Sequence, residues 1–333
     1  MASDASSTQD SRALVVTRPG DSSVLEVQER AVQPPREGEV QVEVAAVGVN
    51  FIDVYQRQGV YPIPTPFVSC SEGSGAVRAV GPGVTELAVG DRVAWALGLG
   101  AAAQVVNRDV ETLVPVPDGV ELDLAAAAML QGMTAHYLVN STYAVGPGTV
   151  ALVHAAAGGV GQLLVQMVKA KGGRVIATAG SAAKLEVARA LGADATINYA
   201  GVDDLAAEVR KANGDNGVDV AYDGVGKSTF DASLASLRPR GMMVLFGGAS
   251  GQVPPFDLQR LNTGGSLFVT RPTLASHVAT RAELLERGGS VLGDIAAGHL
   301  TIDVGGRYPM AEAARAYDDL EARRTTGKLL LIP

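Results

Sequence analysis

Short segments of alternating polar and apolar residues dominate the first third of the chain. Glu39 to Ala46 alternates in this way, which is typical of a strand with one buried face. Similar segments follow at 73–80, 91–97 and 104–107. Gly and Pro separate them, as turns require. The pattern predicts a mainly β domain over about residues 12–118.

The pattern changes at an apolar run, Thr149 to His154, which is followed by a glycine-rich segment. From Val160 to Val168 apolar residues recur at helical spacing, which predicts one buried helix face. Alternation then continues, with strands predicted at 174–179, 195–199, 218–223, 242–246 and 267–270, and helices at 184–191, 203–211 and 228–237. Such alternation indicates a doubly wound parallel sheet.

Two helical stretches, 281–297 and 310–322, precede a final apolar run from Leu329 to Ile332. So short a strand cannot form a core alone, and we expect it to pair with the N-terminal half. The prediction is an α/β fold, a Rossmann domain inserted in a mainly β domain. We place the boundaries at 1–132, 133–271 and 272–333. Residues 1–12 are expected to be a disordered polar tail and not a signal peptide.

Composition narrows the possible partners. Apolar residues make up 47% of the chain, charged residues 19%, and the net charge is −8, with no long basic run. No 18 consecutive residues are apolar, so we expect a cytoplasmic protein without a nucleic-acid or membrane partner. Cys70 is the only cysteine, and we expect it to be buried and inert. The histidines are far apart, at His136, His154, His277 and His299, which predicts no metal site.

The glycine-rich segment matches the dinucleotide fingerprint G-x-G-x-x-G, with Ala156 in place of the first glycine. It lies between a predicted strand and an amphipathic helix, where backbone amides and the helix dipole bind a pyrophosphate. Gly158, Gly159, Val160 and Gly161 are therefore predicted to bind a dinucleotide.

The segment after the next strand indicates which dinucleotide. NAD-specific proteins place an acidic residue there, on the ribose hydroxyls. This chain has Gly180, Ser181 and Lys184 instead, with no acid between 178 and 184. A hydroxyl and a cation suit a 2′-phosphate, so we expect NADPH. The alternative is that Lys184 is an ordinary solvated helix residue.

Candidate catalytic groups lie at 50–61. Asn50, Tyr55 and Tyr61 carry donors that suit a carbonyl oxygen gaining negative charge during reduction. The tyrosines are predicted to lie in or beside an irregular segment. The alternative is that they serve only in packing.

The chain closely resembles the zinc-free, zeta-crystallin-like quinone oxidoreductases of the medium-chain dehydrogenase/reductase superfamily. The resemblance extends from Ala13 to Pro333 and depends on NFIDVY at 50–55, QGMTA at 131–135, HAAAGGVG at 154–161, ATINY at 195–199, VAYDGVG at 220–226, GSLFVTRP at 265–272 and GKLLLIP at 327–333. It implies that the β domain is GroES-like and that the cofactor lies in the cleft between the domains. Zinc-containing relatives have Gly-His-Glu where this chain has Cys70-Ser71-Glu72.

The resemblance also implies roles for particular residues. Lys184, Tyr199 and either Arg323 or Arg324 would bind the 2′-phosphate. The nicotinamide would be lined by Asn50, Tyr55, Thr134, Gly247, Phe268, Val269 and Thr270. Gly224 and Gly248 are also expected to bind the cofactor. Many relatives have Ser at the position of Gly224, so one hydroxyl contact to the cofactor is absent here.

The implied activity is NADPH-dependent reduction of quinones or similar conjugated carbonyl compounds. One alternative is reduction of 2-enoyl substrates, namely alkenals, enones, haloacrylates or enoyl thioesters. An alternative of another class is an NADPH-binding sensor or an RNA-binding module, against which the net charge argues. The apolar edge strand and the resemblance together predict a homodimer.

Overall fold

The structure, a computed structural model, describes residues 9–333. These residues divide into two compact units, one formed by the chain up to Leu130 together with Val278–Pro333, and the other by Gln131–His277. The sequence boundaries of 132/133 and 271/272 lie two and six residues from these divisions.

The first unit begins with an almost entirely β segment. Its elements up to residue 137 are β1 (Gln9–Val16), β2 (Leu25–Val32), β3 (Glu39–Val49), α1 (Phe51–Arg57), β4 (Phe67–Val68), β5 (Glu72–Val80), β6 (Arg92–Trp95), β7 (Val105–Asp109), β8 (Val114–Pro115) and α2 (Leu122–Tyr137). The division between the units falls within α2.

The second unit alternates strands and helices. Its elements are β9 (Val150–Val153), α3 (Gly159–Ala170), β10 (Arg174–Ala179), α4 (Ala182–Ala190), β11 (Ala195–Asn198), α5 (Leu205–Ala212), β12 (Val218–Asp223), α6 (Phe230–Ser236), β13 (Leu237–Leu245), α7 (Gln259–Thr263) and β14 (Phe268–Thr270). The sheet order is β11-β10-β9-β12-β13-β14, and all pairs are parallel. This order is that of a Rossmann sheet, which confirms the prediction.

The central strand of this sheet shows why the apolar run folds as it does. Ala151, Leu152 and Val153 on β9 are all fully buried. Helices cover both faces of a parallel sheet, so a central strand is apolar without alternation. The alternating segment at 39–46, in contrast, forms β3 in a mainly antiparallel sheet.

The chain then returns to the first unit through α8 (Arg281–Ala296), β15 (Val304–Pro309), α9 (Ala313–Glu321) and β16 (Lys328–Ile332). A seven-stranded sheet there has the order β15-β16-β3-β5-β6-β8, with β7 also paired to β3. β16 pairs antiparallel with β3 through Leu329–Val49 and its neighbours. The expected return of the last strand to the N-terminal half is therefore confirmed.

One local prediction was wrong. β1 begins at Gln9 and pairs with β2, so residues 9–12 belong to a strand; residues 1–8 of the expected tail lie outside the described residues. As expected, Tyr61 lies in an irregular segment, and Tyr55 lies beside that segment on a short helix, α1 (Phe51–Arg57). The N-terminus of α1 is capped by Asp53, whose Oδ2 accepts the backbone N–H of Asn50 at 2.7 Å.

Candidate functional site

The glycine-rich loop joins β9 to α3, and its glycines permit very close packing. A Cβ added at Gly161 would overlap the carbonyl oxygen of Ala155, and one at Gly159 would overlap the Gln131 side chain. α3 begins after Gly158 with no side-chain cap and no acid in its first turn. A helix N-terminus of this kind suits the anionic pyrophosphate of a dinucleotide. Gly158, Gly159, Val160 and Gly161 therefore fit such a cofactor.

The second part of the candidate site lies at the carboxyl ends of β10 and β11. Ser181 caps α4, and its Oγ accepts the backbone N–H of Lys184 at 3.4 Å. A Cβ added at Gly180 would lie 2.7 Å from the Tyr199 hydroxyl oxygen. The fold thus gathers Gly180, Ser181, Lys184 and Tyr199 beside a strand end without an acid. These groups suit a ribose that carries a 2′-phosphate.

The loops after β12 and β13 meet backbone to backbone. A Cβ added at Gly247 would lie 2.5 Å from the carbonyl oxygen of Gly224, and Ala249 N–H donates to that oxygen at 3.2 Å. A Cβ at Gly224 would lie 2.8 Å from the Phe246 ring. Serine at position 224 would therefore require that ring to move, which gives the departure from many relatives a packing reason. Gly248 follows in the same loop.

β14 is the last strand of the sheet, and its side chains differ in exposure. Phe268 is 54% exposed and Val269 is 37% exposed, while Thr270 is half-buried. Their backbones pair with β13, from Met242–Phe268 to Val244–Thr270. Among residues 9–333 this strand has a neighbour on one side only, so its other side is an edge of the sheet with apolar side chains.

The candidate catalytic residues are distributed over both units. In the first unit, the Tyr55 and Tyr61 rings lie 5.6 Å apart in an edge-to-face arrangement, and Tyr61 N–H donates to the Tyr55 carbonyl at 3.2 Å. Tyr55 is half-buried and Tyr61 is exposed. Thr134 is buried on α2, in the part that belongs to the second unit. The structure brings the two tyrosines together, and their roles stay a prediction.

The side chain of Asn50 is held inside the first unit. Its Nδ2 donates to Glu72 Oε2 at 2.7 Å, and its Oδ1 accepts from Lys328 Nζ at 2.7 Å. Lys328 Nζ also bonds directly to Glu72, whose Oε1 accepts Leu130 N–H at 2.6 Å. Lys328 and Glu72 are fully buried. Both ends of the Asn50 amide therefore have partners, which favours a structural role over the catalytic one considered from the sequence.

Sequence reasoning missed Lys328 as a partner of this group. The available signal was one charged residue at the start of the apolar segment LLLI. Asp53 lies nearby and is fully buried; desolvation raises the pKa of its carboxyl to about 7, against the lowering effect of the Asn50 N–H bond. The first unit therefore contains three buried titratable groups, namely Asp53 on α1, Glu72 on β5 and Lys328 on β16.

Cys70 is buried, as expected. Its Sγ lies 3.3 Å from the Tyr317 hydroxyl, and Ser69 Oγ lies 3.0 Å from the same hydroxyl. Burial raises the pKa of both the Cys70 thiol and the Tyr317 hydroxyl well above their ordinary values. A thiol in this state is a poor nucleophile.

Arg323 and Arg324 follow the C-terminus of α9 in the first unit. Arg323 has a positive φ of 56°, and Arg324 forms an ion pair with Asp319 at 2.7 Å. Among residues 9–333, no three His, Cys, Asp or Glu side chains are grouped to hold a metal ion. Within the same range, no helix combines the length and apolar character needed to cross a membrane.

Comparisons with known proteins agree with this architecture. Residues 36–118 match the family model "Alcohol dehydrogenase GroES-like domain", and residues 159–284 match "Zinc-binding dehydrogenase". A quinone oxidoreductase of Pseudomonas aeruginosa is 44% identical over 316 residues, covering 94% of this chain and 97% of that protein. A 2-haloacrylate reductase of Burkholderia is 40% identical over 329 residues, covering 96% and 98%.

A solved structure of a relative agrees with these sequence matches. The quinone oxidoreductase of Escherichia coli in complex with NADPH superposes with a TM-score of 0.94 at 41% identity, covering 97% of this chain and 100% of that one. The fold is that of a two-domain dehydrogenase with a GroES-like and a Rossmann domain. The chain belongs to the zeta-crystallin-like quinone oxidoreductase family of the medium-chain dehydrogenase/reductase superfamily.

Proposed function

We propose that this protein is an NADPH-dependent oxidoreductase that reduces quinones or similar small conjugated carbonyl compounds. The observation that carries the proposal is the group of Ser181, Lys184 and Tyr199 beside a strand end that lacks an acid. Family membership and the NADPH complex of the Escherichia coli relative support it. Bound NADPH would supply a hydride to the conjugated acceptor.

The residues of this chain would bind and orient the reactants. The glycine-rich loop would bind the pyrophosphate, and Lys184, Tyr199 and Arg323 or Arg324 the 2′-phosphate. The nicotinamide would be lined by Thr134, Gly224, Gly247, Gly248, Phe268, Val269 and Thr270. Tyr55 would donate a hydrogen bond to the substrate oxygen as its negative charge grows. Tyr61, in contact with Tyr55, would hold or replace that donor.

Replacing Lys184 with alanine tests the cofactor assignment. Lys184→Ala should weaken NADPH binding about 10-fold and leave NADH binding unchanged, because only the 2′-phosphate loses a charged partner. The measurement is fluorescence titration of each cofactor. Lys171→Ala is the control, at a half-buried lysine directly after α3. Equal losses for both cofactors would contradict the role of Lys184.

The second candidate is reduction of 2-enoyl compounds, which is favoured by the 40% identity to a 2-haloacrylate reductase. Both candidates use the same cofactor and differ in the acceptor. Steady-state NADPH oxidation with naphthoquinone, benzoquinone, 2-chloroacrylate, an enone and crotonyl thioester separates them. We expect the highest kcat/KM with a quinone. NADPH binding without turnover of any acceptor would instead favour the sensor.

Three further properties are part of the proposal. The exposed apolar edge of β14 supports a homodimer in which two such edges pair, and sedimentation should then give twice 34.1 kDa. The Lys328 ammonium already pairs with the Glu72 carboxylate, and this cation supports activity without zinc. A chelator should therefore leave turnover intact. We also propose a cytoplasmic protein that does not bind nucleic acid; the acidic net charge argues against such binding, and a gel-shift assay tests it.

A further inference from the structure

A chain of four buried polar side chains crosses the sheet of the second unit. His154, directly after β9, places Nδ1 2.8 Å from Thr178 Oγ1 and Nε2 2.8 Å from Ser233 Oγ. Ser233 Oγ in turn lies 2.8 Å from Asp223 Oδ2. All four residues are at most 1% exposed. Sequence reasoning treated His154 as a core or surface residue and did not connect it to the others.

The direction of each hydrogen bond follows from the acceptor at the end of the chain. Asp223 Oδ1 accepts from Val225 N–H, Gly226 N–H and the Thr229 hydroxyl, at 2.8, 2.9 and 2.9 Å, which are the bonds of an ionised carboxylate. Ser233 therefore donates to Asp223. Its oxygen must then accept from His154 Nε2–H.

Desolvation by burial favours the neutral form of the His154 imidazole. With its proton on Nε2, His154 has an acceptor at Nδ1, and the Thr178 hydroxyl donates to it. Burial lowers the pKa of His154, opposed by the charge of Asp223, which agrees with this tautomer. A protonated ring would donate from both nitrogens, and the Thr178 hydroxyl would then have to turn and accept from Nδ1–H.

The chain lies where a Rossmann sheet binds its ligand. β10, β9 and β12 are adjacent, and the two halves of the sheet meet between β9 and β12. Dinucleotides bind outside the carboxyl ends of the strands at this point. Thr178 is on β10, His154 follows β9, and Asp223 ends β12. The bonds therefore join the two half-sheets at the level of the candidate cofactor site.

The same residues also hold the loops on that side. Ala155, next to His154, has a φ of 49° and begins the glycine-rich loop, while Ala156 N–H donates to the Thr178 carbonyl at 3.1 Å. Asp223 binds the turn at 225–226 through its carboxylate and accepts Phe246 N–H on its carbonyl at 2.9 Å. Three cofactor-facing loops are thus connected through one hydrogen-bond chain.

We propose that His154 is a positioning residue for the dinucleotide, which acts through Thr178, Ser233 and Asp223 to hold these loops in their binding geometry. The proposal rests on the proposed function only in that NADPH binds at this sheet edge. The role concerns the backbone of these loops, which would contact the parts of the cofactor that NADPH and NADH have in common. It therefore predicts a loss of affinity that does not depend on the 2′-phosphate.

The experiment is direct fluorescence titration of NADPH and NADH with Thr178→Val and Ser233→Ala. Each variant should weaken both cofactors by a similar factor, roughly 5- to 20-fold, because a buried acceptor loses its donor and the loops relax. Lys184→Ala, in contrast, discriminates between the cofactors. Thr178→Ser keeps the hydroxyl and should restore most of the affinity, which a loss of packing alone would not predict.

Ser236→Ala is the matched control. Ser236 is buried on the same helix, but its hydroxyl donates to the Ala232 carbonyl at 2.7 Å and takes no part in the chain. This variant should bind both cofactors like the wild type. Thermal melts on all variants show whether each is folded at the titration temperature, and if Ser233→Ala is unfolded, the nearly isosteric Thr178→Val decides.

The outcomes separate this inference from the function itself. Wild-type affinity in folded Thr178→Val and Ser233→Ala, with only lower melting temperatures, would show that the chain serves stability alone and would overturn the proposal. A loss confined to NADPH would overturn it too. If the wild type binds NADPH but reduces no acceptor, the proposed function fails and the positioning role still stands on the titrations.

Discussion

The two units bury their polar groups in different ways. The first unit holds Lys328, Glu72 and the α1 residue Asp53 out of water, and Lys328 pairs directly with Glu72. The second unit holds one carboxylate, Asp223, and surrounds it with hydroxyls, backbone amides and a neutral imidazole. Both arrangements join distant parts of a sheet, but their dependence on charge differs.

The difference has an energetic reason. Two buried charges attract strongly at low dielectric but lose their hydration, so the pair is sensitive to removal of either partner. A carboxylate bonded by four donors needs no counter-ion, and each bond contributes a smaller amount. The first unit should therefore respond to charge removal and to pH more strongly than the second, and with the opposite sign of pH dependence.

The largest effect is expected for Lys328→Met. Removal of the ammonium leaves Glu72 as an uncompensated buried charge and should lower the free energy of unfolding of the first unit by about 3–5 kcal/mol. The measurement is urea denaturation. Lys169→Met is the control, because its pair with Asp194 is about one-third exposed and should contribute ~1 kcal/mol or less. Similar small losses in both variants would contradict the comparison.

The pH dependence of Asp53 comes next. Its pKa is raised to about 7 in the folded chain from 3.8, so between these values the folded state holds the extra proton and stability falls as pH rises. One proton changes the free energy of unfolding by about 1.4 kcal/mol per pH unit, or roughly 2 kcal/mol between pH 4.5 and 6.5.

Asp53→Asn should remove this slope, which is read from urea midpoints across the same pH range. The amide keeps an oxygen to accept Asn50 N–H, so the variant tests ionisation more than the hydrogen bond. A wild-type slope that survives in Asp53→Asn would assign the pH dependence to another group.

The smallest effect is expected for His154 and has the opposite sign. Since burial lowers its pKa, its contribution is present above pH 6.5 and is lost as pH falls below that value. Between pH 6.5 and 5.5 the wild type should lose stability that His154→Gln does not lose. The exposed His299 provides the control variant, His299→Gln, which should keep the wild-type slope. If His154→Gln keeps it too, the imidazole is not the titrating group.

Several features of this protein follow from the sequence alone because their causes are local. Short apolar runs that alternate with segments of helical periodicity predicted the parallel sheet. The comparisons with known proteins confirm the Rossmann and GroES-like organisation. The glycine spacing and the missing acid after β10 predicted NADPH, as bound by a relative of the same fold. Both signals, the close backbone packing of the glycines and the charge at one strand end, involve residues that are near each other in the sequence. A short segment is therefore enough to predict them.

Tertiary structure decided the features that depend on distant partners. α1 is only seven residues long, too short to be stable alone, so its stability depends on packing within the first unit as well as on the cap from its own Asp53. Lys328 meets Glu72 across 256 positions, and Ser233 meets His154 across 79. No periodicity links such residues, because the sheet pairings β16–β3 and β9–β12 bring them together. The same sheet places Glu72 and Lys328 at the two ends of the Asn50 amide, which favours a structural role for that side chain.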